Sequence, residues 1–122
     1  MSRRKSGNWF QNVCQKKLEE EGYVVHNQKP GARYERNRDI FGADLVALRL
    51  GWKPRFIQSS QGTNILSRLR KYLSYPFPQE HTQVELWTLA QDKKRVTMRK
   101  LVDDTFVIVG EFNLEEGKCT TA

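Results

Sequence analysis

The spacing of apolar and polar positions changes several times along the chain, and two stretches predict helices. Apolar residues recur at helical spacing from Phe10 to Leu18, with charged residues between them, and Gly22 is a suitable end for that helix. Residues 63–73 show the same period, with an apolar side and a basic remainder. The following "SYPFPQEH" ends the second helix, because proline cannot continue one.

Short runs rich in apolar and β-branched residues, bounded by turn formers, predict strands between and after the helices. "GWKP" joins two of the runs as a hairpin, and "QKPGARYERNR" has the Pro, Gly and charge content of a loop. This order of elements predicts one α/β domain, with a mixed sheet and helices packed against it. The predicted strands are YVVHN, DLVALRL, RFIQSS, QVELWTLA, RVTMRKLV and TFVIVGEF.

Length and charge limit the class of protein. A chain of 122 residues suffices for one compact core, and a formal charge of +7 favours a polyanionic partner, since phosphate binding releases counterions. Charge alone does not separate DNA from RNA or from an anionic membrane, and a soluble protein that is merely basic is the alternative. There is no apolar run of membrane-spanning length and no signal-peptide core, so we expect an intracellular protein that does not enter a membrane. Cys14 and Cys119 lack the spacing of zinc ligands.

Polar residues occupy one side of the predicted hairpin. Side chains alternate across a strand, so folding about "GWKP" should bring Asp44 near Ser60 and Gln61, with Gln58 on the diagonal at roughly 8 Å or less. A carboxylate and an amide oxygen so placed could share a hard cation such as Mg²⁺. The alternative for Asp44 is a bond to a neighbouring backbone N–H, and for Gln58 an amide paired with the backbone of the sheet. Asp39 is either a turn former or a second acidic ligand.

Basic residues gather in three segments that could form one phosphate-binding face, although a solvated basic surface is the alternative. One of these segments, the predicted loop "QKPGARYERNR", also holds Tyr34, which could stack on an exposed base. The three groups are Arg3, Arg4 and Lys5 at the start, Lys29, Arg33, Arg36 and Arg38 in the loop, and Arg68, Arg70 and Lys71 on the second helix.

The chain resembles the PD-(D/E)XK nuclease superfamily, most closely its small Holliday-junction-resolvase-like members. "GNWFQNVCQKKLEEEGYVV" resembles the first helix and strand of that family, "DIFGADLVAL" its acidic strand, and "RFIQSSQG" its second catalytic strand, which a helix follows. The resemblance implies a restriction-endonuclease-like fold, phosphodiester hydrolysis with Mg²⁺ or Mn²⁺, and often a homodimer. It makes Asp44 the metal-binding aspartate, puts Gln58 in place of the second acidic ligand, and puts Gln11 where the first-helix glutamate stands.

The sequence departs from the family pattern at two positions. Ser60 occupies the lysine position, and a hydroxyl cannot supply the positive charge that activates water. Gln11 removes a negative ligand, which weakens Mg²⁺ binding. A replacement cation could come from the second helix, where the candidates are Arg68, Arg70 and Lys71.

We therefore expect a metal-dependent endonuclease for branched DNA, with Asp44, Gln58 and Asp39 as metal ligands and with Ser60 and Gln61 orienting water or the phosphate. The alternative is a catalytically inactive nucleic-acid-binding protein of the same fold; a third possibility is a subunit that cuts only within a larger assembly. The expected domains are a basic arm at 1–6, a nuclease-like domain at 7–115 and a tail at 116–122. A small protein of this kind would suit a virus or mobile element.

Overall fold

A computed structural model describes residues 3–28, 40–62, 64–115 and 118–120. Its two helices and seven strands form one α/β domain. In chain order they are α1 (Arg3–Glu20), β1 (Val24–Asn27), β2 (Leu45–Leu48), β3 (Arg55–Ser60), α2 (Ile65–Leu73), β4 (Gln83–Leu89), β5 (Arg95–Val102), β6 (Thr105–Glu115) and β7 (Lys118–Thr120).

The seven strands form one mixed sheet in which neighbours in sequence are also neighbours in space, from β1 to β7. Every pair is antiparallel except β3 and β4, which are parallel and are connected through α2. A parallel pair needs such a crossover, whereas antiparallel neighbours need only short turns. The predicted α/β class and mixed sheet are confirmed.

The ends of the chain differ from the prediction. Helix α1 begins at Arg3, inside the segment expected to be a basic arm, and β6 continues to Glu115. β7 lies where a frayed tail was expected and pairs Cys119 with Leu114, whose side chain is buried. Pairing with an existing strand therefore orders a segment whose own composition favours a loop.

The helices cover opposite faces of the sheet. Apolar residues of α1 pack against Leu45, Ile57 and Trp87 in one core cluster, while Tyr72 of α2 belongs to a second cluster that Phe56 joins. Because Phe56 and Ile57 are consecutive in β3, their side chains point to opposite faces. The face that α2 covers also carries Gln58 and Ser60, which follow Phe56 at intervals of two.

A buried ion pair fixes the beginning of β3 against β4. The Arg55 guanidinium donates two hydrogen bonds to the carboxylate of Glu85, which is fully buried and also accepts from Trp87 Nε1 at 2.8 Å. Burial alone favours the neutral form of arginine, but the hydrogen bonds and charge of Glu85 outweigh it and raise the pKa of Arg55 above its usual value.

Candidate nucleic-acid site

A tight turn delivers the chain into β2 and determines where Asp44 lies. Ile40 and Ala43 exchange backbone hydrogen bonds of 2.8 and 2.9 Å, and between them Phe41 and Gly42 have φ values of 52° and 91°. Two consecutive positive φ values favour glycine at this kind of turn. A Cβ on Gly42 would also lie 3.1 Å from a ring carbon of Tyr72, so α2 packs directly against the turn.

Asp44 is bonded to both neighbouring strands. Its N–H donates to Ile57 O at 2.9 Å, and its carbonyl accepts from the N–H of Gln28 at 2.8 Å. Its carboxylate Oδ2 accepts from the N–H of Ser59 at 3.0 Å and from the hydroxyl of Ser59 at 3.2 Å. The backbone bond that sequence reasoning gave as the structural alternative is therefore present.

Gln58 connects the turn to α2. Its side chain is buried, and with the amide oriented to satisfy both ends, the nitrogen donates to Gly42 O at 3.2 Å. The oxygen accepts from an Arg68 guanidinium nitrogen at 3.1 Å. Leu45 pairs with Ile57 in the antiparallel pair of β2 and β3. Asp44, just before β2, therefore lies opposite Gln58 in the same register. The structure thus brings Gln58 together with Arg68, one of the three cations that the sequence proposed as replacements, while Asp44 is adjacent to Gln58 in the register of the backbone and bonds Ser59 through its carboxylate.

The Arg68 side chain is only partly satisfied. One of its terminal nitrogens donates to Gln58, but its Nε is buried and has no hydrogen-bond partner among the described residues. A buried donor without an acceptor costs about 1–3 kcal/mol, so such groups need an explanation. Arg68 as a whole is only partly buried, so a ligand would meet the outer part of the side chain and not Nε.

Ser60 and Gln61, the other two predicted site residues of this segment, have different surroundings. Ser60 is buried, and its hydroxyl accepts from the N–H of Gly62 at 3.2 Å, which closes the turn after β3. Gln61 is exposed in that turn. The serine that bonds to Asp44 is Ser59, because Asp44 precedes the first residue of β2 and its carboxylate turns onto a backbone N–H of β3. Sequence reasoning missed Ser59, since strand alternation assigned it to the other face.

Gln11 is connected to Asp44 through Gln28. Its amide nitrogen donates to Asn27 Oδ1 at 2.6 Å and to Gln28 O at 2.7 Å, and the N–H of Gln28 donates to Asp44 O. Gln11 therefore joins α1 to the end of β1, and Gln28 is the one residue between it and Asp44 in this chain of hydrogen bonds. This bonding gives it a positioning role.

The described residues do not by themselves fit a Mg²⁺ site. No group of three or more His, Cys, Asp or Glu side chains lies together in the part of the chain that is described. The oxygen of Gln58, expected to be a ligand, accepts instead from a guanidinium. Mg²⁺ binds through carboxylates and water in near-octahedral geometry, and Asp44 supplies a single carboxylate. The expected second carboxylate, Asp39, lies outside the described residues.

The basic residues of α2 stand beside this site. Arg70 and Lys71 are exposed on the last turns of the helix, and Arg68 points towards Gln58. The loop residues Arg33, Arg36 and Arg38, together with Lys29 and Tyr34, lie outside the described residues, and so do the side chains of Arg3, Arg4 and Lys5.

Comparison of the chain with protein-family models, curated proteins and solved structures finds no match. Membership of the nuclease superfamily therefore stays a prediction. Neither described helix combines the length and the apolar character needed to cross a membrane.

Proposed function

We propose that the protein binds DNA through α2 and the adjoining end of β3. The observation that carries this proposal is the partly exposed Arg68 side chain, whose guanidinium is held in place by a bond from one terminal nitrogen to Gln58. Arginine presents a planar fork of donors that suits phosphate oxygens. Arg70 and Lys71 extend the positive charge along the same helix, and the net charge of +7 favours a polyanion over a neutral ligand.

Metal-dependent cleavage of branched DNA is the second candidate function, and the order of elements favours it. The resemblance implies a helix, a strand, an acidic strand, a second catalytic strand and a helix, and α1 to α2 follow that order. Asp44 and Gln58 hold neighbouring positions in the strand register, and Arg68 brings a cation to Gln58, two residues before the lysine position at Ser60. We keep Mg²⁺ or Mn²⁺ dependence as a prediction that depends on Asp39.

One experiment separates the two candidates. Purified protein is titrated onto labelled four-way junction, flap and duplex DNA, first with chelator and then with Mg²⁺ or Mn²⁺, and both affinity and strand scission are recorded. Binding without scission supports the binding protein, and scission that Asp44→Ala abolishes supports the enzyme. Lack of binding to all three substrates overturns both proposals.

A two-fold homodimer is the assembly we propose for the DNA-bound protein, since a branched substrate offers more than one strand to engage. Within the described residues, β6 pairs with β5 along its length but with β7 only over its last three residues. Its open edge carries Val107, Ile108 and Val109, all exposed. Antiparallel pairing of two copies about Ile108 would set Glu111 opposite Thr105, with no like charges opposed.

Sedimentation at micromolar concentration, with and without junction DNA, tests the dimer. Ile108→Lys should dissociate it, because two added cations would then face each other. Val24→Lys, at an exposed position of the opposite edge strand, is the matched control and should leave the dimer intact. A monomer in both conditions would rule the dimer out.

A further inference from the structure

An aromatic pocket opens beside the turn that carries Gly42. It has a volume of about 200 Å³, and its lining is formed by Phe41 of the turn, Phe56 of β3, and Tyr75 and Phe77 with their neighbouring prolines after α2. The segment "SYPFPQEH", which sequence reasoning treated only as the end of a helix, therefore forms one wall. The proposed DNA-binding site does not use this pocket.

The rings surround a slot of limited size. Phe41 and Tyr75 meet nearly edge to face, with centroids 5.5 Å apart and planes at 74°, and Phe56 meets Phe77 at 5.3 Å and 60°. Rings at such angles are not stacked face to face, so they leave space between them. Since a cavity of about 150 Å³ accepts benzene, a pocket of 200 Å³ has room for one somewhat larger planar ring.

Phe41 occupies an unfavourable backbone conformation to reach this position. Its φ of 52° lies in the left-handed region, where a bulky residue is an outlier, and its side chain remains 56% exposed. Glycine or asparagine would form the same turn at lower cost. Strain of this kind persists most often at ligand-binding and catalytic sites, and here it presents an aromatic ring to solvent at the rim of a pocket.

The charge near the pocket identifies the kind of ligand. The wall that contains Tyr75 and Phe77 continues directly from the C-terminal turn of α2, where Arg70 and Lys71 are exposed. The stem of Lys71 passes beside the turn, with its Cγ 3.8 Å from the position that a Cβ on Gly42 would take. A flat ring with apolar faces, attached to a chain of negative charges, matches this pairing of an aromatic slot with cations, and a nucleobase of a single strand has that chemistry.

We propose that the pocket binds one unpaired single-ring base, with thymine the best match, from a DNA strand whose phosphates contact α2. Among the bases thymine suits the nearly all-apolar lining best, because its methyl edge can enter the pocket while its carbonyl and N–H groups stay towards solvent at the mouth. The proposal builds on the proposed DNA binding and adds to it a preference for strands with unpaired bases, which branched DNA supplies at its junctions and flaps.

The test compares two labelled oligonucleotides of equal length, oligo-thymidine and its fully abasic counterpart, by fluorescence anisotropy without metal. Both carry the same phosphates, so their difference isolates the base. Wild-type protein should bind the thymidine strand about 5-fold to 100-fold more tightly, the range that corresponds to one base–aromatic stack. Phe41→Gly removes the ring while suiting the positive φ, so it should fold and lose most of this preference.

Trp52→Ala is the matched control, since Trp52 is an exposed aromatic residue outside the pocket lining, and it should keep the preference. Equal binding of the two strands by wild type would overturn the pocket proposal and leave DNA binding standing. Failure to bind either strand while junction and duplex DNA are still bound would overturn the pocket proposal alone, and failure with those substrates as well would overturn both proposals. A dimer that Phe41→Gly dissociates in sedimentation would assign the pocket to a second copy of the chain and overturn the base-binding proposal as well.

Discussion

Arg55, the first residue of β3, and Arg68, which reaches β3 from α2, have their hydrogen-bonding groups satisfied to different extents. Arg55 meets the buried carboxylate of Glu85 with two hydrogen bonds and lies over the ring of Tyr23 at 5.0 Å. Arg68 meets the neutral amide of Gln58, and its Nε has no partner among the described residues. A buried cation with a full set of partners is a structural element, whereas a partly exposed cation with a partial set is a candidate to contact a ligand. The two arginines therefore predict opposite results for stability and for DNA binding.

The largest effect should come from Arg55→Met. It leaves the Glu85 carboxylate buried without its cation, and removing one partner of a buried pair costs about 3–5 kcal/mol. Urea denaturation measures the free energy of unfolding, with Arg49→Met as the control, since Arg49 is exposed and also contacts the Tyr23 ring. A loss of stability below about 1 kcal/mol for Arg55→Met would contradict the structural role.

The same variant has a defined pH dependence. Because the pKa of Arg55 is raised in the folded state, the stability it contributes is present at lower pH and disappears only as pH rises through that raised value. Arginine titrates far above neutrality, so the stabilisation by the charge of Arg55, which Arg55→Met removes, is present in full in the wild-type protein at about pH 6 and at about pH 9.

Arg68→Ala should have the opposite effects, a large one on DNA affinity and a small one on the free energy of unfolding. We expect DNA affinity to fall about 10-fold to 100-fold, as for removal of a charge-assisted hydrogen bond, while the free energy of unfolding changes by less than about 1 kcal/mol. The slope of log affinity against log salt should shrink by about 0.9 for each phosphate that the variant no longer neutralises. Arg70→Ala, on the exposed side of the same helix, is the control and should weaken binding less. An Arg68→Ala protein that binds DNA normally but is strongly destabilised would remove the distinction between the two arginines.

Gln58→Glu would give Arg68 a carboxylate and so make it resemble Arg55. The new carboxylate gains a charge-assisted bond to Arg68 but loses the donor to Gly42 O, and because these effects oppose each other the free energy of unfolding should change by no more than about 1 kcal/mol. DNA affinity should fall several-fold, because the new charge neutralises the cation and repels phosphate. Gln61→Glu adds the same charge in the exposed turn after β3 and controls for the change in net charge. Unchanged DNA affinity for Gln58→Glu would show that Arg68 does not bind phosphate.

The smallest effect should be that of Ser60→Lys on cleavage, if cleavage is observed. Arg68 already brings a positive charge to Gln58, so an added ammonium group should leave the single-turnover rate with Mn²⁺ nearly unchanged. Applied to the Arg68→Ala protein, the same substitution should restore part of the missing rate. A large gain in the wild-type background would mean that no existing cation serves the reaction.

The sequence predicted the middle of the chain well because turn formers bound each strand there. The ends of β3 at Arg55 and Ser60 and those of β5 at Arg95 and Val102 coincide with the predicted runs. Strand β7 could not be predicted, since three residues without a strong pattern become a strand only through pairing with Leu114 and its neighbours.

Part of the candidate site was predicted from the sequence, and local features of the chain explain both this part and the part that was missed. The pairing of Gln58 with Arg68 follows from strand alternation and the position of α2, and the helix cation was among the candidates. The bond of Asp44 to Ser59 does not follow, because Asp44 lies just before β2, where alternation no longer fixes the side-chain direction. The pocket beside Phe41 was missed because its rings come from three separate segments and share no sequence period.

The consecutive strand order has a consequence for how the chain folds. From β4 to β7 each strand pairs with the one just made, so closing these hairpins requires only short loops and little loss of chain entropy. β3 and β4 are parallel, so they can pair only when the longer segment that contains α2 crosses the sheet between them. We therefore expect the β4–β6 amides to acquire protection from hydrogen exchange early in refolding. Docking of α2, which brings Arg68 and Gln58 together, should come afterwards.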